Sequence, residues 1–203
     1  ALLHTQPVTG TVGLGHTRWA THGRPSEDNA HPHADCSRSV VVVHNGIIEN
    51  YLSVKERLLA EGHRFRSETD TEVIAHLVEC QLGTGANVLE ATKAALRQLR
   101  GAYAVAILSS AEPDRVVAAK HGAGAVVVGL GDGEAYLASD IAAILPYTRD
   151  VIVLEDDELA VLTRGGVTLT GLDGRAIERA PSRVNWDAAM AQKGGYPHFM
   201  LKE

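Results

Sequence analysis

A chain of 203 residues that is 45% apolar and 22% charged can bury a sizeable core, which excludes a disordered segment and fits one large domain with room for a connector. Its formal net charge of −6, with no cluster of Lys and Arg, excludes the basic footprint of a nucleic-acid binder. No apolar run reaches membrane-spanning length, and Cys36 and Cys80 are too few for a disulfide framework, so a cytoplasmic protein with no membrane partner is expected.

In chain order, Thr11 to Gly15 reads as a short strand. From His16 to Ser37 the chain has neither helical nor strand period and carries Pro25, Pro32 and four ring-bearing imidazoles, His16, His22, His31 and His33. A loop of this length in a compact domain is generally functional or disordered, and it is the first place to look for a site. Ser39 to His44 is a β-branched run that predicts a buried strand, broken at Asn45-Gly46 before Ile47-Ile48 resumes.

A helix is predicted from about Asn50, with Tyr51, Val54, Leu58 and Leu59 on one face and Gly62 at its C-terminal end. Thr69-Asp70-Thr71-Glu72 is a capping-box sequence that predicts a second helix, with Val73, Ile74, Leu77, Val78 and Leu82 as its apolar face. Asn87 to Glu90 repeats the signal for a third helix through Leu99. Short strands are then predicted at 104–108, 115–120, 125–130, 135–138, 151–154, 159–163 and 167–169, and Asp132-Gly133 reads as a hairpin turn. Paired helices flanked by antiparallel strands predict an α+β fold of sheets covered by helices. Pro181 to Gly195 reads as a connector, and the two ends, Ala1-Leu2-Leu3-His4 and Phe199-Met200-Leu201-Lys202-Glu203, are expected to be cut points in a longer protein.

Several residue groups carry chemistry. Asn45 and Gly46 offer a side-chain amide and a backbone N–H, a neutral donor pair suited to an oxyanion, although Asn-Gly alone also reads as a turn. Arg18, in HTRWATHG, can hold a small carboxylate in bidentate fashion or form a surface ion pair. Asp70 reads as a residue of its helix's first turn, favourable to the dipole. His31, His33 and Cys36 are metal-ligand types without the paired spacing of a structural zinc site, so no metal and no cofactor is expected. Gly13-Leu14-Gly15 and Gly129 to Gly133 do not complete a phosphate-loop pattern.

HTRWATHG at 16–23, NAHPH at 29–33, VVVHNGIIEN at 41–50, SETDTE at 67–72 and LRGAYAVAIL at 99–108 together resemble the glutaminase domain of glutamine:fructose-6-phosphate aminotransferases. The resemblance runs in order over nearly the whole chain, and GYPHFMLKE at 195–203 resembles the family's junction to a sugar-phosphate isomerase domain. It implies a class II glutamine amidotransferase with an α+β, four-layer αββα sandwich of the N-terminal-nucleophile hydrolase type, lacking its first strands. The glutaminase domain is then 1–180 and the connector toward the absent isomerase domain 181–203. The resemblance assigns Arg18 to the glutamine α-carboxylate, Thr21 and His22 to the same pocket, Asp70 to the α-ammonium, Asn45 and Gly46 to the oxyanion hole, and Trp19 to gating of ammonia. Partners implied are L-glutamine or L-glutamate and, through the isomerase domain, fructose 6-phosphate, with a homodimer only for the full-length enzyme.

In that family the nucleophile is a cysteine at the mature N-terminus, activated by its own α-amine. Residue 1 here is Ala1, and Cys36 and Cys80 lack a free α-amine, so the isolated chain is expected to be inactive and to leave sheet edges and apolar surface uncovered. The alternative from another class is a catalytically inactive glutamine- or glutamate-binding module. A phosphoribosyl-transferring amidotransferase fits less well, because HTRWATHG, NAHPH and the HFMLKE ending favour the amino-sugar branch.

Overall fold

Alternation along the long strands sets the layering of the chain, for which the computed structural model describes residues 9–19, 21–122 and 124–186. The large antiparallel sheet has seven strands in the order β1-β2-β3-β4-β8-β9-β10. These are β1 (His33–Ala34), β2 (Val40–Ile48), β3 (Gly101–Ser109), β4 (Val116–His121), β8 (Glu158–Thr163), β9 (Gly166–Gly171) and β10 (Ala176–Ile177). The second sheet is also antiparallel, ordered β11-β7-β5-β6, from β5 (Val127–Leu130), β6 (Ala135–Ala138), β7 (Asp150–Val153) and β11 (Ser182–Arg183).

In β3, β4 and β8 one set of side chains, Tyr103, Val105, Ile107, Val117, Ala119, Leu159 and Val161, packs with α1 (Tyr51–Ala60), α2 (Glu72–Gly83) and α3 (Val88–Leu96). The alternate set, Ala104, Ala118, Ala160 and Leu162, packs with Val126, Val128, Ile152 and Leu154 of the second sheet's side. On that sheet's other face Val127 and Val151 pack against Ile144 of α4 (Ile141–Ile144). Period-2 alternation thus yields three apolar cores and four layers, helices, sheet, sheet, helix, in an α+β fold. Arg179 ties the sheets together, with a bidentate pair to Glu158 at 2.6 and 2.7 Å and a bond to the Val153 carbonyl at 3.0 Å.

The three long helices and the seven predicted strands lie where expected, with ends shifted by a few residues. Gly62, at φ 95°, closes α1 in a Schellman arrangement, its N–H on Leu59 O and that of His63 on Leu58 O. Asn87 caps α3 by accepting from Glu90 N–H at 2.9 Å, and Asp132-Gly133 turns the β5–β6 hairpin.

Other expectations are corrected. Thr11 to Gly15 is not a strand: Val12 and Leu14 alternate in burial as a strand's would, but no strand among the described residues pairs with the segment. Asn45-Gly46 does not break the sheet. β2 runs through it, pairing Asn45 with Ala104 and Gly46 with Tyr103. Gly46 spends its φ of 127° on a close approach instead of a turn, since a Cβ there would lie 2.1 Å from Ala102 O. The capping box at 69–72 does not form, because its side chains are engaged elsewhere in the site described below. Leu59 faces solvent instead of the core. Sequence reasoning passed over α4, which Asp140 caps, and the two-residue strands β1, β10 and β11, too short to show a period. β11 places 182–183 on an edge of the second sheet, and residues 187–203 of the expected connector lie outside the described residues.

Candidate active site

Arg18, Trp19, Thr21, His22, Asn45, Gly46 and Asp70 all line one small cavity of about 90 Å³, together with His31, His44, Thr69 and Thr71. Three segments supply the seven expected residues, and His31 adds a fourth. The 16–24 loop supplies Arg18 and His22, the exposed end of β2 supplies Asn45 and Gly46, and the 67–71 loop supplies Asp70.

Arg18 lies in the left-handed region at φ 53°, and its guanidinium donates to the carbonyls of His22 at 2.7 Å, Gly23 at 3.0 Å and Arg24 at 3.2 Å. It forms no surface ion pair among the described residues; it curls its own loop, with further N–H groups left over. Asn29 joins this loop to the next. It donates to Arg24 O at 3.0 Å and accepts from Glu68 N–H at 2.8 Å. A Cβ on Gly23, at φ 72°, would lie 2.7 Å from the Asn29 amide.

Asp70 is almost fully buried, and instead of serving a helix terminus it accepts from Ile48 N–H of β2 at 2.8 Å, its other oxygen 3.6 Å from His22 Nδ1. Thr71, the residue before α2, pairs with His44 Nδ1 at 2.9 Å. Glu72 accepts from the N–H groups of Arg66 and Ser67 and from the Ser67 hydroxyl at 2.6–2.8 Å. Burial would raise its pKa, but the nearby His76 imidazole, the Ser67 hydroxyl and these N–H groups bring it down to about 2. Asp35 is lowered in the same way, its hydrogen bonds from Ser37, Val40 N–H and Ser39 outweighing burial.

Histidines cluster beside the cavity, and His22, His31 and His44 line it. His16 stacks on His31 at 4.3 Å, and His31 meets His33 edge-on at 4.7 Å. Burial, then the neighbouring imidazoles, lowers the His31 pKa to about 3, and burial lowers His44 to about 4 against the pull of Asp70. These rings are therefore neutral at pH 7. The Arg18 N–H donates to His16 Nδ1 at 2.8 Å, which leaves the proton on Nε2, 2.8 Å from Asn45 Oδ1. With its oxygen occupied, Asn45 has its NH₂ available for another acceptor.

Cys36 does not join His31 and His33 as a ligand set. It lies on the helix side with His63 and His76, and neither Cys36 nor Cys80 lines this cavity. A second, larger cleft of about 540 Å³ runs between the two sheets from Asn45, lined by the 11–16 segment, Ala104, Ala106, Val126 and β6.

Residues 16–146 match the family described as glutamine amidotransferase domain. The chain belongs to this family. It is 54% identical over 203 residues to the glutamine–fructose-6-phosphate aminotransferase (isomerizing) of Methanothermobacter thermautotrophicus, covering 100% of this chain and 34% of that protein. The Symbiobacterium thermophilum enzyme of the same name is 55% identical over 203 residues, with 100% of this chain and 33% of that protein covered. The chain thus spans about a third of the length of the curated relatives it matches. Among solved structures, the glutamine phosphoribosylpyrophosphate amidotransferase of B. subtilis superposes with a TM-score of 0.63 at 26% identity, covering 77% of this chain and 34% of that one. The sandwich is therefore the class II amidotransferase fold.

For this amidotransferase domain, sequence reasoning passed over the residues that shape the cavity from behind, Asn29, His16, His44 and Glu72. All four lie inside the motifs, His16 in HTRWATHG, Asn29 in NAHPH, His44 in VVVHNGIIEN and Glu72 in SETDTE, but the sequence assigned none of them a place behind the cavity.

Proposed function

We propose that the cavity binds L-glutamine and that the full-length protein hydrolyses its amide, passing ammonia to fructose 6-phosphate on an isomerase domain beyond the 181–203 connector. The observation that carries this reading is the convergence of seven residues from three separate segments on one cavity, in a chain 54% identical over its whole length to such an aminotransferase. A cationic group, a buried carboxylate and a neutral donor pair suit the α-carboxylate, α-ammonium and γ-carbonyl of one amino acid. Arg18 takes the carboxylate, with Thr21 and His22 beside it, and Asp70 takes the ammonium.

The Asn45 NH₂ and Gly46 N–H receive the oxyanion formed when a thiolate attacks the γ-carbonyl. The proton that the cysteine's α-amine took from the thiol passes to the amide nitrogen, the intermediate expels ammonia to give a thioester, and water converts the thioester to glutamate. Cys36 and Cys80 stand away from the cavity, and burial raises both thiols, so the attacking cysteine belongs to a strand outside residues 1–203. The cleft between the sheets, which reaches Asn45, has room for that strand. Trp19, 91% exposed beside the cavity, is free to swing over it and gate ammonia. The reading places the enzyme in the cytoplasm as a homodimer assembled through its isomerase domain.

Calorimetric titration of the full-length protein with L-glutamate tests the binding half. Arg18→Ala and Asp70→Asn are each expected to abolish measurable binding, and wild-type affinity in both variants would remove the cavity from the glutamine site.

A further inference from the structure

Four side chains on the helix side of the large sheet aim donor atoms at one point, and the glutaminase reading uses none of them. Cys36 comes from the turn between β1 and β2, His63 from the residue after α1's closing glycine, and His76 and Glu79 from successive turns of α2. Cys36 Sγ lies 3.6 Å from His63 Nδ1 and 3.6 Å from His76 Nδ1. Glu79 Oε2 lies 2.8 Å from His63 Nδ1 and 3.1 Å from His76 Nδ1, and all four donor atoms fall within 4.8 Å of one another.

We propose that Cys36, His63, His76 and Glu79 form a structural zinc site that pins the β1–β2 turn to α2. A tetrahedral zinc with ordinary bond lengths has S···N edges of about 3.6 Å and N···O edges of about 3.3 Å, and the quartet matches the first and is slightly tighter in the second. Thiolate, two imidazoles and one carboxylate, all from protein, make a closed set of borderline-soft ligands that suits zinc over calcium or magnesium.

The surroundings set the rings for this role. His76 Nε2 has no hydrogen-bond partner and faces the Glu72 carboxylate from 3.6 Å, whose charge favours a proton on Nε2 and leaves the Nδ1 lone pair to the quartet. His63 Nε2 lies 3.1 Å from Cys80 Sγ, which fixes that ring in the same sense. The Arg64 N–H points at Cys36 Sγ from 3.4 Å, a donor for a thiolate. Lone pairs on two imidazoles, a carboxylate and a thiolate repel one another unless protons or a cation sit between them. A neighbouring trio, Glu61, His63 and Cys80, shares His63 but has only three donors, one of them exposed.

The bound ion would brace the segment that begins at His31 and His33, on the rim of the glutamine cavity, without touching substrate. The test is elemental analysis of the full-length protein after exhaustive dialysis, followed by chelation and reconstitution with Co²⁺ as an optical probe. One zinc per chain is expected, and the cobalt form should show tetrahedral ligand-field bands and a thiolate charge-transfer band. Cys36→Ser, at an exposed position, should remove the charge-transfer band. Glu79→Gln should lower zinc retention, while Cys80→Ser should leave both readouts intact. Absence of retained zinc and of cobalt bands in the wild-type protein, or loss of binding in Cys80→Ser with retention in Cys36→Ser, would overturn the site. Circular dichroism of each variant separates metal loss from unfolding.

Discussion

The helix-covered face of the large sheet and the loop region around the cavity, residues 15–35 and 67–72 with His44 of β2, are held by different forces. In the first, Ile48, Leu58, Ile74, Ile107 and Leu159 are sealed from solvent and meet through apolar contact. In the second, Asn29, His33, His44, Asp35, Asp70 and Glu72 are equally buried, and side-chain bonds to backbone groups join one loop to the next. Apolar packing is non-directional and tolerates approximate shape, whereas each buried polar bond is specific to its partner. A substrate cavity needs fixed polar atoms, and the loop region provides them at the cost of sensitivity to pH and to single polar changes.

Four substitutions or titrations sharpen the contrast. Ile107→Ala, in the apolar layer, should destabilise the domain by about 2–5 kcal/mol, read as a shift in its denaturant midpoint, with glutamine affinity preserved in the folded fraction. Asn29→Ala should cost roughly 1–3 kcal/mol by stranding Glu68 N–H and freeing the 16–24 loop, and it should also weaken glutamine binding. Equal effects of the two variants on binding would break the comparison.

Acid should act on the loop region first. The folded pKa values of about 3 for His31 and about 4 for His44 lie below the ordinary 6.5, through burial. The unfolded chain therefore takes up protons that the folded chain refuses, and stability present above pH 6.5 is lost as pH falls from 6.5 toward 4. Glu72, lowered from 4.5 to about 2, adds its loss only as pH falls below 4.5. Unfolding free energy measured against pH should slope upward between 4 and 6.5 in the wild type and more shallowly in His44→Gln; a flat profile there would contradict the neutral, buried imidazoles. The smallest effect is expected from Trp19→Ala, at a 91% exposed position, where stability should change by no more than about 0.5 kcal/mol.

The same contrast decides what could be read from the sequence. Val40 to Ile48 announces its layer because burial alternates with period 2, Tyr103 to Ile107 as a short apolar run buried on both faces, and α1 and α3 because Val54, Leu58, Ala91 and Ala95 recur at helical spacing. Polar roles carry no such period. Thr69 to Glu72 reads as a capping box, yet Glu72 serves the Arg66 and Ser67 backbone and Thr71 serves His44, 27 residues away. Asn45-Gly46 reads as a turn because glycine's positive φ usually makes one, and nothing local says that β3 will lie close enough to require it inside a strand. Arg18, Asn45 and Asp70 each had a bland reading as well, and only the motif resemblance put them in one site, since their convergence depends on three segments far apart in the chain. The Cys36, His63, His76 and Glu79 group had no spacing signal at all, and the sequence paired Cys36 with His31 and His33 instead.

The central claim is that the loop region fixes a glutamine site whose oxyanion donors are Asn45 and Gly46. Steady-state glutamine hydrolysis by the full-length protein carrying Asn45→Ala tests it most directly. A fall in kcat of roughly two to three powers of ten with KM nearly unchanged is the predicted result. A kcat equal to that of the wild type would contradict it.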